Sequence, residues 1–220
     1  QPQSVTNLGN PGSLLATPYG MVVLKEGSSW YGLVTNNSSL IKLSFGSSLS
    51  NIPTATTVVL PTGTLSGARK IDYALDNDSL IAIVVNSTTR RLRLINFGSS
   101  INNSIQSSDT ITSPQLTNVV GVFGVSVIRD CSNWVAFIVG TSSGLYRMNF
   151  GSGLFDSSMQ LDLVVSSNQF NDVRIVRENG EYKCFVIMNG SSSRIYYYGF
   201  GGSATGSIVS QSVRLIPNFN

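Results

Sequence analysis

The sequence contains no histidine, only two cysteines, few charged residues and no long apolar run. The absence of histidine removes the commonest general base and the commonest metal ligand, so hydrolysis by a Ser-His nucleophile pair is excluded. Two cysteines cannot form a structural zinc site unaided. Because no run of 18 apolar residues occurs, no transmembrane helix is predicted.

Charge is scarce throughout the chain. Charged residues make up 11% of the sequence, against roughly 25% in a typical globular protein. Ser, Asn, Thr and Gly take their place, which favours an extracellular or cell-surface location, with a virion as the alternative. The net charge of +3 is dispersed apart from Arg90, Arg91 and Arg93, so no nucleic-acid partner is expected. The chain opens at Gln1 without an initiator Met, as expected of a processed product or an excised piece.

One motif occurs four times. Its members are a phenylalanine and the glycine after it: Phe45 and Gly46, Phe97 and Gly98, Phe150 and Gly151, and Phe200 and Gly201. The phenylalanines lie 52, 53 and 50 residues apart, and periods of this size indicate a solenoid, an array or a propeller. Each Phe is predicted to fill the gap between neighbouring blades, and each Gly to allow the tight turn that follows.

The pattern around each Phe-Gly pair predicts four strands. A mixed strand, a continuous apolar strand, the Phe-Gly strand and a more polar strand follow one another, separated by polar turns. No segment has a convincing helical period. We therefore predict an all-β fold, a β-propeller of four four-stranded antiparallel blades in a single domain. A β-sandwich is the alternative, but a sandwich does not need similarity at a fixed period.

The predicted domain covers residues 1–220, with a leading rim strand at 1–17 and blades at about 18–65, 66–117, 118–167 and 168–220. The leading segment resembles a fifth rim strand, which leaves two arrangements open. Residues 5–8 compete with residues 209–216 for the last blade, or they pair with another chain, since an unpaired strand edge invites strand addition. Whether the ring closes within one chain therefore stays open.

An acidic residue ends the first strand of every blade. The four are Glu26, Asp76, Asp130 and Glu178. In a ring they would surround one channel mouth, so a bound cation is the one cofactor that the pattern suggests. The alternative is that they are solvated turn residues or pair with the preceding cations Lys25, Arg129 and Arg177.

No catalytic residue is predicted. The close carboxylate pairs, Asp72 with Asp76 and Asp76 with Asp78, lie along one strand and its turn rather than across a cleft, as glycoside hydrolysis requires. Cys131 and Cys184 occupy aligned positions three residues apart, so two separate thiols are favoured and a disulfide is the alternative.

Residues 145–154 (LYRMNFGSGL), with residues 6–12 (TNLGNPG), carry a family resemblance. They resemble a propeller-forming repeat of secreted and surface proteins of Bacteroidota, which is also similar to repeats in structural proteins of crAss-like phages. The resemblance covers nearly the whole chain and implies a non-catalytic module that displays loops or joins an assembly.

These observations predict a non-enzymatic, extracellular propeller module of a bacterial surface or adhesion protein that binds glycan or protein through its loops. The alternative is a structural component of a phage virion, a tail or fibre part that assembles with neighbouring chains through its rim strands. Self-association is an expected form of partnership in either case, and membrane insertion is not.

Overall fold

The computed structural model describes residues 7–116, 119, 121–140, 144–155, 158–166, 169–188 and 194–215. They form four antiparallel sheets of four strands each, with consecutive strands adjacent in every sheet. The prediction of an all-β, four-bladed propeller is confirmed. The strands are β1 Pro18–Glu26, β2 Ser29–Asn36, β3 Ser39–Gly46, β4 Thr54–Thr57, β5 Ala68–Asp76, β6 Ser79–Asn86, β7 Arg91–Asn96, β8 Thr110–Thr112, β9 Val122–Asp130, β10 Asn133–Gly140, β11 Gly144–Gly151, β12 Gln160–Val165, β13 Phe170–Glu178, β14 Glu181–Met188, β15 Arg194–Gly201 and β16 Ser210–Leu215.

Two-residue turns join the first two strands of each blade. Asn77-Asp78 and Asn179-Gly180 have positive φ at both positions, which is the type I′ geometry that matches the twist of paired strands. The four glycines after the repeated phenylalanines also have positive φ, between 63° and 76°. Glycine adopts this conformation without a steric penalty, so it suits the turn out of the third strand.

The core lies between successive blades. Phe97 packs with residues of blade 1, Phe150 with residues of blade 2, and Phe200 with residues of blade 3. Phe200 meets Phe137 with ring centroids 5.1 Å apart. Each of these phenyl groups therefore wedges its blade against the preceding one.

Phe45 has no preceding blade among the described residues and is covered differently. It packs with Leu8, Leu14 and Leu15 of the N-terminal segment. Within the described part of this segment there is a short 3₁₀ turn at Pro11–Ser13 and no strand. The expected rim strand at residues 1–17 falls partly on residues 1–6, which lie outside the described residues.

The same kind of asparagine contact holds the N-terminal segment on blade 1 and the connector between blades 1 and 2 on blade 2. The Asn36 side chain accepts a hydrogen bond from the Thr17 backbone N–H (2.7 Å) and donates one to the Leu14 carbonyl (3.0 Å). Asn86 makes the same pair of bonds to the connector at residues 64–66, at 3.0 and 3.3 Å. The segment therefore imitates an inter-blade connector on the outer face of blade 1.

The ring is interrupted at one place. The inner strands pack in the order β1 on β5, β5 on β9 and β9 on β13, and β13 does not pack on β1 in this way within the described strands. The propeller is therefore an open ring, with a flank of blade 4 facing a flank of blade 1. No helix in the described ranges is long and apolar enough to cross a membrane.

Candidate functional site in the central cleft

Glycines in the inner strands bring charged residues of two opposite blades towards the axis of the ring. A Cβ atom at Gly20 would lie 2.8 Å from the Arg69 carbonyl, and one at Gly124 would lie 3.0 Å from the Asp172 Cα. The first distance is too short for a Cβ atom, and the second would force the neighbouring backbone to shift. The glycines of β1 and β9 thus let β5 and β13 approach closely, and these two strands carry the charged residues of the site.

Two ion pairs cross the channel between blade 2 and blade 4. Lys70 Nζ lies 2.8 Å from Asp172 Oδ2, and Arg174 Nη1 lies 3.3 Å from Asp72 Oδ1. Blades 2 and 4 are not neighbours, so these pairs span the centre of the ring.

Blade 3 contributes to the same cluster through Ser126, whose hydroxyl lies 3.2 Å from Asp72 Oδ2. The same oxygen accepts the Val127 backbone N–H at 2.8 Å. Asp72 is buried, whereas Asp172 is about one-third exposed. Asp72 is therefore a buried acceptor whose position is fixed by blades 3 and 4, and Asp172 is the carboxylate that solvent and a ligand can reach.

A cavity of about 220 Å³ lies over these pairs. Lys70, Asp172 and Arg174 provide its polar floor. Its apolar lining residues are Met21, Val22, Ile71, Val125, Val173, Phe185 and Ile187. Met21 belongs to blade 1 and Phe185 to blade 4, so the cavity opens into the interruption of the ring.

The described residues contain no cluster of three or more metal-ligating side chains, and the acidic residues at the ends of the inner strands make separate contacts. Asp76 Oδ2 accepts the Leu154 backbone N–H of blade 3 at 2.9 Å. Asp130 Oδ2 accepts bonds from the Ser203 hydroxyl (2.7 Å) and the Thr205 N–H (3.2 Å) of blade 4. Each of these two carboxylates therefore latches the loop after the repeated Phe of the next blade.

The other two acidic residues at the ends of the inner strands, Glu26 and Glu178, make different contacts. Glu26 lines a small cavity together with Ser99 and Ser100 of the corresponding loop of blade 2. Glu178, at the end of blade 4, pairs with Lys183 on its own sheet and is largely exposed. The proximity of Lys183 lowers the pKa of Glu178 from its usual value.

The basic residues before these acids stack on aromatic rings instead of pairing with the acids. Lys25 lies 5.5 Å from the Trp30 ring centroid, and Arg129 lies 5.6 Å from that of Trp134. These are cation–π distances. Cys131 is exposed and Cys184 buried, and both are free thiols. Burial raises the pKa of the Cys184 thiol, so Cys184 is the less reactive of the two.

Sequence reasoning missed the cross-channel cluster, although the aligned inner strands contain its signal. The third position of these strands is Gly20, Lys70, Gly124 and Asp172, and the fifth is Val22, Asp72, Ser126 and Arg174. At both positions blades 2 and 4 carry opposite charges. When the four inner strands surround one channel, these opposite charges form the two ion pairs, Lys70 with Asp172 and Arg174 with Asp72.

A scan against protein-family models and a search of curated proteins each found no match. Solved structures do match. They include a Coprinopsis cinerea GH62 α-L-arabinofuranosidase catalytic domain (TM-score 0.71, 14% identity, 92% of this chain and 70% of that one). They also include a Bacillus licheniformis GH43 endo-arabinanase, with a TM-score of 0.63 and 14% identity over 92% of this chain and 80% of that one. A Phanerochaete chrysosporium exo-β-1,3-galactanase matches with a TM-score of 0.65 and 11% identity over 88% of this chain and 52% of that one.

Propellers of the GH43 and GH62 type have five blades. At 11–14% identity the similarity establishes the propeller fold and not an enzymatic activity. It does contradict the expected function. The prediction of a non-enzymatic surface or adhesion module, with a virion component as the alternative, was wrong, because the matching structures are glycoside hydrolases.

Proposed function

We propose that this protein acts extracellularly on a glycan that binds in the central cleft. The observation that supports the proposal is the cross-channel cluster, where two carboxylates and two cations from opposite blades meet under a cavity. The propellers of similar fold, an arabinofuranosidase and an endo-arabinanase among them, are enzymes of glycan cleavage. The weakly charged, hydroxyl- and amide-rich composition fits an extracellular location.

The floor of the cleft has the chemistry that a sugar needs. Sugar hydroxyls both donate and accept hydrogen bonds, and Asp172 provides an acceptor beside the donors of Lys70 and Arg174. Val22 and Ile71 place apolar surface next to them. The cavity of about 220 Å³ is smaller than the roughly 300–1,000 Å³ of sites for drug-sized ligands. We therefore infer that one terminal sugar unit enters it.

The two carboxylates have different roles in this proposal. Asp72 is buried and accepts hydrogen bonds from the Val127 N–H and the Arg174 guanidinium, so it orients Arg174 on the floor of the cavity. Asp172 and Lys70 both line the cavity and are paired at 2.8 Å, so in this proposal Asp172 takes a proton from the attacking water while the Lys70 ammonium gives a proton to the leaving glycosidic oxygen. Proton transfer from Asp172 back to Lys70 then restores the pair.

The test is sugar release from arabinan, arabinoxylan and β-1,3-galactan, together with calorimetric binding of the corresponding oligosaccharides. We expect one of them to bind and be cleaved, and Asp172→Asn to lower cleavage by about 100-fold or more. Asp162→Asn is the matched control, because Asp162 pairs with Arg147 outside the cleft. Absence of both binding and cleavage would contradict the proposal, as would equal loss in the two variants.

A further inference from the structure

The outer flank of blade 4 has the pattern of an inter-blade face, but none of the described strands packs against it as a further blade. Leu33, Ile83, Phe137 and Phe185 occupy the same position of the second strand in blades 1 to 4. The first three are 0% exposed, whereas Phe185 is 39% exposed. Ile187 and Ile195, on the same flank, are also exposed.

On the facing flank of blade 1, side chains are likewise exposed where their counterparts in other blades are buried. Met21 is 47% exposed, while its counterparts Ile71, Val125 and Val173 are buried. Leu49, four residues after Phe45, is also exposed, although its counterpart Leu154 is fully buried under the latch of the preceding blade. Both halves of one inter-blade interface are therefore present, and no blade lies between them in the part of the chain that the structure describes.

The acidic residue of blade 4 also receives no loop from another blade within the described ranges. Asp76 and Asp130 each bind the loop of the following blade, whereas Glu178 contacts Lys183 of its own blade. Glu178 has the position and the charge to receive loop N–H groups from a fifth blade.

We propose that the flanks marked by Met21 and by Phe185 and Ile187 form a docking site for a fifth antiparallel sheet of this repeat type. The chain builds the same interface three times internally, so the missing one is continuous with an established kind of contact. The similar propellers have five blades. Docking of the fifth sheet closes the side of the central cleft.

The first test supplies the missing blade. The full chain is extended by a second copy of residues 61–116, which contain a connector and one whole blade. We expect a higher Tm, weaker binding of an apolar dye and slower hydrogen exchange in β14, by about tenfold or more. The same extension with Phe97→Ser in the added copy is the control and should lose these effects. An intact extension that leaves dye binding and β14 exchange unchanged would overturn the proposal.

The second test needs no extension. In the original chain, Phe185→Ser should lower the Tm much less than Phe137→Ser at the equivalent buried position, because Phe185 is 39% exposed and its ring packs on Tyr197 of its own sheet. If Phe185→Ser destabilises as much as Phe137→Ser, the chain closes its own gap and the proposal fails. A dimer that Phe185→Ser dissociates would also refute it, because a second copy would then be the occupant. Asp172→Asn should affect none of these readouts, which separates this proposal from the glycan proposal.

Discussion

Asp130 shows how one carboxylate can hold two blades together. Burial acts to raise the pKa of Asp130, but hydrogen bonds from Ser203, Thr205 and neighbouring groups outweigh it and hold the pKa below the ordinary value of 3.8. A carboxylate with a lowered pKa stabilises the fold fully above the pKa that it has when unfolded. Its contribution disappears as the pH falls through the folded-state value.

The first prediction concerns this latch. Asp130→Asn should lower the free energy of unfolding at neutral pH by about 1–2 kcal/mol, because hydrogen bonds to a charged acceptor become neutral ones. The difference from the wild type should shrink as the pH falls below the ordinary carboxyl range and Asp130 itself becomes protonated. Thermal melts across this range measure both effects. Glu178→Gln, at the exposed end of the same column, should change the Tm little at any pH, and an equal effect of the two variants would refute the latch.

The acidic column was visible in the sequence, but its role was not. Four carboxylates at one strand position indicate a shared environment, and a ring of charge around a channel is one such environment. In the structure the loops after Phe150 and Phe200 reach back to the acidic residue of the preceding blade, as Asp76 and Leu154 show. That contact joins residues 78 positions apart, and the pattern within one repeat does not reveal it.

At the scale of the element, the third strand of each blade ends near the repeated phenylalanine, which packs against whatever precedes that blade. Phe150 is fully buried among residues of blades 2 and 3. Phe45 is buried too, but it packs against the N-terminal segment instead of a sheet. The same side chain thus has a whole blade behind it in one repeat and a short connector-like segment in another.

The second prediction follows from this difference. Phe150→Ala should lower the free energy of unfolding by about 3–5 kcal/mol, as expected for a large cavity between two rigid sheets. Phe45→Ala should cost less, because the segment at residues 8–15 can move into the vacated space. Urea denaturation of both variants measures the two values. A larger loss for Phe45→Ala would contradict the account of the wedge.

The strands themselves were largely predictable. Apolar runs bounded by polar turns identified the second strands, and β6 is buried along nearly its whole length as expected of a strand packed on both faces. The rim strands were less predictable, because β4 ends at Thr57 although its pattern continues to Leu60. Residues 58–65 leave the sheet to pack between blades, where Leu60 and Leu65 gain apolar contacts.

At the scale of the whole molecule, the open ring connects the two proposals. The cavity over Lys70 and Asp172 is bordered by Met21 and Phe185, which belong to the two unpaired flanks. A ligand can therefore enter from the side as well as along the axis. A fifth blade would leave the polar floor in place and close the lateral entrance. The sequence alone did not show whether the ring closes within one chain. Only the packing of β1 and β13 in the structure distinguishes a closed ring from an open one.

Hydroxyl-radical footprinting of the native chain tests the open ring most directly, because equivalent side chains serve as internal standards. Phe185 and Phe137 occupy the same strand position, and Met21 can be compared with the fully buried Met148. The open ring predicts fast oxidation of Phe185 and Met21 and slow oxidation of Phe137 and Met148. Phe185 and Met21 as slow to oxidise as Phe137 and Met148 would contradict it.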